Sequence, residues 1–296
     1  MTVLRRSAPG VAVRRTALLV ASALVLAACA GPARLATGDP AYRTVPSSTA
    51  SSGSPSAAPS PSGSPGPTPG QTRPTPGYEE GPRPKGLPLA SLRVRATGSY
   101  KFDALQDDKK TAVAWSPCRP VHYVVRTKNQ PSWGAAALRS AFAEVHRATG
   151  LTFVDDGTTT EATRTLKNLY QPRRYGDRWA PVVISWTRPS ETKVLKGTVA
   201  GVTNVYWWQV GTKPAALVSG MVQLDAPDLV RIARVAGTTE ARGVILHELG
   251  HLAGLGHVKD KRQNMYPVIS SRNVHYAAGD LAGLTLLGEG PCAPYL

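Results

Sequence analysis

One eleven-residue stretch, HELGHLAGLGH at residues 247–257, restricts the fold of this chain more than any other feature. On an α-helix, His247 and His251 lie about 40° apart around the axis and about 6 Å apart along it, on one face. If the helix continued, His257 would lie about 120° off that face. Gly254 can adopt the left-handed conformation that ends a helix. The spacing therefore predicts a helix that ends at Gly254 and a chain reversal that returns His257 to the other two rings.

Three neutral imidazoles that meet at one point can bind one metal ion. Zinc suits such a set, because catalytic zinc sites keep three protein ligands and one open position. Glu248 follows the first ligand on the open side, where a carboxylate can accept a proton from an activated water. The motif predicts a hydrolytic Zn²⁺ centre with His247, His251 and His257 as ligands and Glu248 as general base. A non-catalytic metal site is the alternative, but it gives Glu248 no role.

Residues 1–28 have the features of an export signal. Several arginines precede the thirteen-residue apolar run TALLVASALVLAA, which is shorter than the roughly 20 residues that cross a bilayer. The run leads into LAAC at residues 26–29, which resembles a bacterial lipobox. We therefore expect cleavage before Cys29 and a lipid anchor on its thiol, which would tie the mature protein to the membrane. An ordinary secretory signal is the alternative.

Residues 29–88 are predicted to form a disordered tether. Their central part, SSTASSGSPSAAPSPSGSPGPTPG, has no charge and no large apolar side chain, so it cannot bury enough surface to offset its ordering entropy. Such a tether would hold a folded domain, residues 89–296, away from the membrane. A cleaved pro-segment is the competing interpretation.

The net charge of the chain is +16 at pH 7. A basic exported domain favours anionic envelope polymers and lipid headgroups as contacts. No groove-recognition motif accompanies the charge, so nucleic acid is not an expected partner. We expect a monomer that acts on peptide or protein substrates.

The two remaining cysteines, Cys118 and Cys292, are expected to form a disulfide, as isolated pairs in exported proteins commonly do. The alternative is a thiolate that binds a metal.

The pattern of apolar residues predicts one α+β domain. Alternating or continuous apolar runs predict five strands, VHYVVR (121–126), LTFVD (151–155), PVVISW (181–186), GVTNVYWWQV (201–210) and LVSGMVQLD (217–225). Helical spacing predicts a helix over 134–149 that Gly150 stops, a helix capped by Thr238 or Thr239 that leads into the histidine motif, and a short helix from Asp280, as N-cap, to Leu287, with Gly288 as its stop.

The histidine motif fits the metzincin pattern HExxHxxGxxH, and NMYP follows at residues 264–267. The MYP form resembles the matrixin branch. WSPCRPVHYVV, ATGLTFVDDG and GDLAGLTLLG are also similar to bacterial matrixin-like proteases. The resemblance implies the same three zinc ligands, Glu248 as base, and Met265 in a Met-turn beneath the metal. It implies a twisted, mostly parallel sheet with an antiparallel edge strand, an active-site helix and a small C-terminal subdomain.

The resemblance also implies where a substrate binds. The edge strand should fall near residues 198–208 and pair with an extended peptide. Residues 268–276 should form the wall of the primed-side pocket, which receives residues after the scissile bond. Tyr266 and Tyr276 are candidates for donating a hydrogen bond to the developing oxyanion. The aromatic side chains at 206–208 are candidates for the cleft or for the core.

The chain departs from the animal matrixins in two respects. It has no PRCGxPD-like segment, so latency by a cysteine switch is not expected. The other histidines are scattered at positions 122, 146 and 275, so a second, structural zinc is not expected.

The predicted function is a zinc endopeptidase of extracellular or envelope proteins, anchored to the outer face of the membrane or released if the tether is cut. The alternative is a surface lipoprotein that binds envelope polymers and uses zinc only structurally.

Overall fold

The computed structural model describes residues 71–84 and 99–296, and the backbone of two short strands at residues 2–5 and 42–44. The rest of the predicted export signal, Cys29 and most of the predicted tether lie outside the described residues. In the part that is described, no helix is long and apolar enough to cross a bilayer.

One sheet of eight strands dominates the described residues, in the order β1-β7-β8-β6-β4-β5-β2, with β3 paired to β8. The strands are β1 (Thr2–Arg5), β2 (Tyr42–Thr44), β3 (Ala114–Trp115), β4 (Val121–Arg126), β5 (Phe153–Thr158), β6 (Val182–Thr187), β7 (Val199–Trp208) and β8 (Ala216–Asp225).

The central strands β5, β4, β6 and β8 run parallel to one another, whereas β7 is antiparallel to β8. This confirms the predicted α+β fold with a mostly parallel sheet and an antiparallel strand at one side. The outer edge of β7 pairs with β1, which is also antiparallel and lies opposite residues 199–203. The core strands read as nearly continuous apolar runs because helices or loops cover both faces of a parallel sheet.

The helices are α1 (Gly134–Thr149), α2 (Pro172–Tyr175), α3 (Ala226–Val235), α4 (Thr238–Ala253) and α5 (Ala278–Gly288), with short 3-10 turns at Leu166–Asn168 and Lys193–Leu195. The end of α1 at Gly150, which has φ 73°, confirms the predicted stop. Helix α3 was not predicted. Its cap is Asp225, which accepts a hydrogen bond from the Asp228 amide at 3.2 Å.

The predicted caps of the last two helices were wrong. Gly237, with φ 114°, precedes α4, and neither threonine caps it. Helix α5 begins two residues before Asp280, whose carboxylate accepts a hydrogen bond from the Ala277 amide at 3.0 Å. Gly288 is the last residue of α5, and Glu289 is the C-cap. A carboxylate at the third position of a helix can accept hydrogen bonds from the same free backbone amides as an N-cap side chain. An aspartate such as Asp280 therefore indicates that a helix starts nearby without fixing its first residue, and the predicted start of α5 lay too late in the chain.

Helices α1 and α4 pack together and against the sheet. Leu138, Ala141, Phe142 and Val145 form the buried stripe of α1, at the spacing that places them on one helical face. The Phe142 ring stacks on Tyr123 of β4 with centroids 4.2 Å apart. Burying one such ring contributes roughly 1.5–3 kcal/mol, so this contact holds α1 against the sheet, and α4 packs against both α1 and the strands β7 and β8.

Residues 71–84, here called the N-terminal strap, correct the predicted extent of the tether. The Gly77 amide donates to the Leu296 carbonyl at 2.9 Å, and the Gly81 amide donates to the Cys118 carbonyl at 2.8 Å. The buried Glu80 carboxylate pairs with Arg119 at 3.1 Å. These residues lie within the predicted tether, yet they are held by backbone carbonyls and by a buried cation, which composition alone does not reveal.

The predicted disulfide between Cys118 and Cys292 is confirmed, with Cα atoms 5.4 Å apart. It joins the segment before β4 to the C-terminal end of the chain, 174 residues away in sequence. The strap contacts both sides of this link, since Glu80 also accepts a hydrogen bond from the Ala293 amide.

Candidate metal centre

Helix α4 carries two of the predicted ligands and ends where the sequence predicted. Gly254 is its C-cap, in the left-handed region with φ 119°. Its amide donates to the His251 carbonyl at 3.0 Å, and the Leu255 amide donates back to the Gly250 carbonyl at 2.9 Å. These bonds close the last turn and reverse the chain. His257 therefore returns to the face of α4 that carries the other two histidines.

The three histidine rings converge on one point. The Nε2 atoms of His247 and His251 are 3.0 Å apart, and His257 Nε2 lies 3.1 and 3.2 Å from them. Tetrahedral nitrogen ligands about 2.0–2.1 Å from a zinc ion are about 3.3 Å from one another. The triangle has the size that a zinc ion requires.

The second ring nitrogens determine which atoms face that point. His247 Nδ1 donates to the Asn264 carbonyl at 2.5 Å, and His251 Nδ1 donates to the Leu255 carbonyl at 2.6 Å. Because the Nδ1 atoms carry the protons, the Nε2 atoms present lone pairs. Such carbonyl partners are typical of metal-binding imidazoles.

Burial keeps these rings neutral. It lowers the pKa of His247 to about 3, with a further contribution from His257. Burial also lowers the pKa of His251 well below 6.5, and it lowers that of the less buried His257. Lone pairs that face each other without a proton between them repel, and a cation relieves that repulsion. The three residues therefore fit a divalent metal ion such as zinc.

Glu248 is fully buried beside the triangle and is held on one oxygen. The Thr203 hydroxyl of β7 lies 2.6 Å from Glu248 Oε2 and 3.0 Å from the Glu248 carbonyl oxygen. No group of the described part donates to Oε1. Burial raises the pKa of the Glu248 carboxyl to about 8, against the opposing effect of the Thr203 bond. A divalent cation nearby would lower that pKa again.

Gly201 makes room for this carboxyl group. A Cβ at Gly201 would lie 2.6 Å from Glu248 Oε1 and 2.7 Å from its Cγ. Residue 201 therefore has to lack a side chain if Glu248 is to lie against β7.

The predicted Met-turn lies under the ligand helix. Met265 is 1% exposed, and a Cβ at Gly250 would lie 2.5 Å from its sulfur. Asp280 holds the turn from below, since its carboxylate accepts from the Asn264 amide at 2.8 Å and the Met265 amide at 3.3 Å. Burial raises the pKa of Asp280 to about 6, despite these bonds. The Asn264 carbonyl that orients His247 belongs to the same turn.

The two tyrosines have different positions. The Tyr276 hydroxyl is buried and donates to the Leu246 carbonyl at 2.8 Å. Its proton is therefore committed to α4, and the expectation that Tyr276 donates to a substrate oxyanion is corrected. Tyr266 is partly exposed next to Met265, where it lines a surface depression. Its role in oxyanion binding stays a prediction.

The aromatic side chains of β7 divide between core and surface. The Tyr206 hydroxyl donates to the Arg164 carbonyl at 2.8 Å, and the Trp208 ring packs on Trp179 with centroids 5.5 Å apart. Trp207 is 48% exposed. Of these three side chains, only that of Trp207 is exposed rather than partly buried.

Several residues of the site were not predicted, namely Gly201, Thr203, Gly250, Asn264 and Asp280 in its role beneath the Met-turn. A glycine inside an apolar strand pattern was an available signal for Gly201, because such glycines mark a close approach. Thr203 gives no comparable signal, since threonine is common in strands.

Residues 186–287 match the model of the Matrixin (Peptidase_M10) family. The matched segment runs from the end of β6 to the last turn of α5, so it contains the three histidines, Glu248 and Met265. No curated protein matches the chain.

Proposed function

We propose, on the premise that this chain is a matrixin-like metzincin and a metalloprotease at the level of its family, that it is a zinc-dependent endopeptidase of extracellular or envelope proteins. One observation carries the proposal. Three neutral imidazole nitrogens 3.0–3.2 Å apart lie beside a buried carboxylate with one unpartnered oxygen. This combination suits hydrolysis, whereas a purely structural zinc site closes all four positions with protein ligands.

His247, His251 and His257 would hold the ion. A bound zinc ion supplies Lewis acidity, which lowers the pKa of water toward about 7 and polarises a peptide carbonyl. The hydrogen bonds from the Nδ1 atoms to backbone carbonyls fix the ring orientations in advance.

Glu248 acts as the proton carrier in this proposal. Its Oε1 has no donor in the described part and is available to take a proton from the attacking water, while Thr203 restrains Oε2. The same oxygen then delivers the proton to the leaving amine. Burial beside the three histidines places this carboxyl within the centre, and a bound cation would lower its pKa from the metal-free value of about 8 and so favour the ionised form that accepts a proton.

The peptide would bind along β7. Its outer edge already accepts an antiparallel strand, since β1 pairs with residues 199–203 next to Glu248. This supports an extended substrate that adds to the sheet through main-chain hydrogen bonds.

We further propose that the protein acts outside the cell, anchored through Cys29 or released from that anchor. The support is the sequence of residues 1–29, an arginine-containing start, a short apolar run and a lipobox-like end.

The test compares wild type with Glu248→Gln and Glu248→Ala, with zinc content and cleavage of a mixed peptide library measured in parallel. We expect all three proteins to hold one zinc ion per chain and only wild type to cleave at an appreciable rate. Wild-type cleavage rates in the variants would contradict the role of Glu248. Three results together would favour the polymer-binding alternative: wild type binds zinc, it cleaves no peptide of the library, and it still binds envelope polymers after the zinc is removed.

A further inference from the structure

The N-terminal strand β1 runs along the strand that contacts Glu248. It pairs with the outer edge of β7 in antiparallel register, with Thr2 opposite Thr203 and Leu4 opposite Gly201. β1 also approaches α4, the helix that carries the histidine motif. The backbone of β1 therefore lies against the same two elements that hold the proposed base.

The residues of β7 that lie opposite β1 are the ones that touch Glu248. The Thr203 hydroxyl is 2.6 Å from Glu248 Oε2, and a Cβ at Gly201 would lie 2.6 Å from Glu248 Oε1. Residues 201 and 203 are two apart on the strand, so both have their side-chain positions on the face toward α4. The pairing with β1 thus falls at the level of the Glu248 carboxylate, and not at a remote part of the sheet.

The proposed base and two of the metal ligands are closed to solvent. Glu248 and His247 are 0% exposed, and His251 is 1% exposed. Residues 199–203 of β7 are all buried, whereas every residue from 204 to 208 is at least partly exposed. The limit of burial along β7 coincides with the end of the pairing with β1. A peptide that is to be hydrolysed has to reach Glu248 Oε1, an atom that is buried in this chain.

We propose that β1 is an autoinhibitory strand that keeps the metal centre closed until residues 1–28 are removed. The inference rests on the proposed function, which assigns Glu248 and the outer edge of β7 to peptide hydrolysis. A strand has one hydrogen-bonding edge on each side, and β8 occupies the inner edge of β7. β1 and a peptide substrate therefore compete for the one remaining edge at residues 199–203.

The place of β1 in the chain provides the route of its release. Thr2–Arg5 belong to the predicted export signal, which ends before Cys29, so cleavage of that signal would remove β1. The strand β2 and the N-terminal strap follow Cys29 and stay with the domain. The precursor would thus be closed in the cell that makes it and open after export.

The covalent link strengthens the competition by β1. A tethered segment acts at an effective concentration of up to about millimolar, which exceeds the micromolar concentrations at which peptide substrates are assayed. Once the link is cut, the few main-chain hydrogen bonds of β1 have to offset the full entropy of association. We therefore expect kcat/KM to rise by about tenfold or more when the leader is cut from the folded chain.

The first experiment cuts the leader from the folded, zinc-loaded, full-length chain. A recognition sequence for a site-specific protease is inserted after residue 28, and Cys29→Ser prevents attachment of a lipid. Peptide cleavage is measured before cutting and again after the released leader has been removed by gel filtration. Intact mass shows that the leader stayed attached until it was cut. A kcat/KM that cutting leaves unchanged would overturn the inference.

Proline substitutions test the strand pairing without cutting the chain. Every second amide of an edge strand faces its neighbour, so Val3→Pro/Leu4→Pro removes the amide of whichever of the two residues bonds to β7. This variant should cleave peptides while its leader is still attached. Val11→Pro/Ala12→Pro is the matched control, because it adds two prolines to the same leader outside β1; it should stay as inactive as the uncut parent chain. Equal activity of the two variants would contradict a role for β1.

A readout that needs no catalysis separates this inference from the proposed function. Hydrogen–deuterium exchange of zinc-loaded Glu248→Gln protein follows the amides of residues 199–203 before and after the leader is cut, and cutting should speed their exchange by about tenfold or more. Faster exchange, with no peptide cleaved by the cut wild-type chain, would support the covering by β1 and contradict the proposed function. Unchanged exchange, with equal cleavage by wild type before and after cutting, would overturn the inference alone. Zinc content and thermal unfolding confirm that each form is folded.

Discussion

At the scale of single residues, the position of Glu248, the proposed base, depends on residues that its motif does not contain. Thr203 donates to one oxygen of Glu248, and Gly201 leaves space for the group. Both belong to β7, about 45 residues before the motif in sequence. The motif therefore predicts which residue is the base, whereas contacts with β7 determine the orientation of its carboxylate and leave Oε1 without a donor in the described part.

Removing the Thr203 hydroxyl should slow hydrolysis without removing zinc. A hydrogen bond to a charged group contributes about 1.5–3 kcal/mol, so Thr203→Val should lower kcat/KM by about ten- to a hundredfold. Thr203→Ser keeps the hydroxyl and should recover most of the activity. Equal rates for Thr203→Val and wild type, with equal zinc content, would show that the 2.6 Å contact does not position Glu248.

The raised pKa of the buried Glu248 should also make the free energy of unfolding of the metal-free protein depend on pH. Its folded pKa of about 8 lies above the ordinary value of 4.5, so between these values the metal-free folded chain binds one more proton than the unfolded chain. The free energy of unfolding therefore falls as pH rises through this window. The glutamine in Glu248→Gln does not titrate. In this window the free energy of unfolding of the variant, relative to that of wild type, should therefore rise by about 1.4 kcal/mol per pH unit.

Urea denaturation of both chelator-treated proteins at about pH 5 and about pH 7 measures this difference. The histidines titrate in both proteins, so their contribution cancels in the comparison. A difference in unfolding free energy that stays constant between the two pH values would contradict an elevated pKa for Glu248.

At the scale of elements, the end of α4 was predictable because its cause is local. Gly254 is the residue that can adopt φ 119° without strain, and the sequence places it three residues before His257. Helix α3 also has local signals, Asp225 as cap and Pro227 in the first turn, but Asp225 is at the same time the last residue of the apolar strand pattern at 217–225, so these signals are also typical of a strand end followed by a loop. The predicted start of α4 was wrong because a glycine without a side-chain cap precedes the helix, and that of α5 was wrong because Asp280 caps it from the third helical position.

Replacing Gly254 tests whether the helix end assembles the metal site. Alanine there would be strained by the left-handed backbone, and its Cβ would lie 2.9 Å from Leu287 Cδ2. We expect Gly254→Ala to lose about 1–3 kcal/mol of stability and to bind zinc more weakly, because His257 depends on the reversal.

Gly176→Ala is the matched control. Gly176 also has a positive φ, 74°, with open space around its Cβ position and no contact with the ligands. It should lose stability and keep the zinc affinity of wild type. Zinc titration and thermal unfolding of both variants distinguish the two effects, and identical zinc affinities would contradict the role of the Gly254 turn.

At the scale of the whole molecule, the strap and the disulfide join the two ends of the folded region. The disulfide could be predicted from two cysteines in a chain with an export-like start, whereas the strap could not be predicted from its Ser-, Pro- and Gly-rich surroundings. Its order depends on Arg119 and on the C-terminal carbonyls, which only the folded chain brings together. Long-range contacts of this kind have no local pattern that a sequence could display.

Glu80→Ala should therefore destabilise a domain far from the metal site in sequence. It leaves Arg119 buried without its carboxylate, and breaking one partner of a buried pair typically costs about 3–5 kcal/mol. Arg83→Ala is the control, since Arg83 is exposed and contacts only backbone carbonyls of the C-terminal region. Urea denaturation should show a large loss for Glu80→Ala and a loss within about 0.5 kcal/mol for Arg83→Ala. Equal losses would show that the strap does not contribute through its ion pair.

The coordination of the metal in the purified protein tests the central claim most directly. X-ray absorption spectroscopy, combined with metal analysis, should find one zinc ion per chain with three imidazole nitrogens at about 2.0–2.1 Å and a light-atom ligand in the remaining position. A protein without a bound transition metal, or an ion with a sulfur ligand or a single imidazole, would contradict the assignment of His247, His251 and His257 as one metal site.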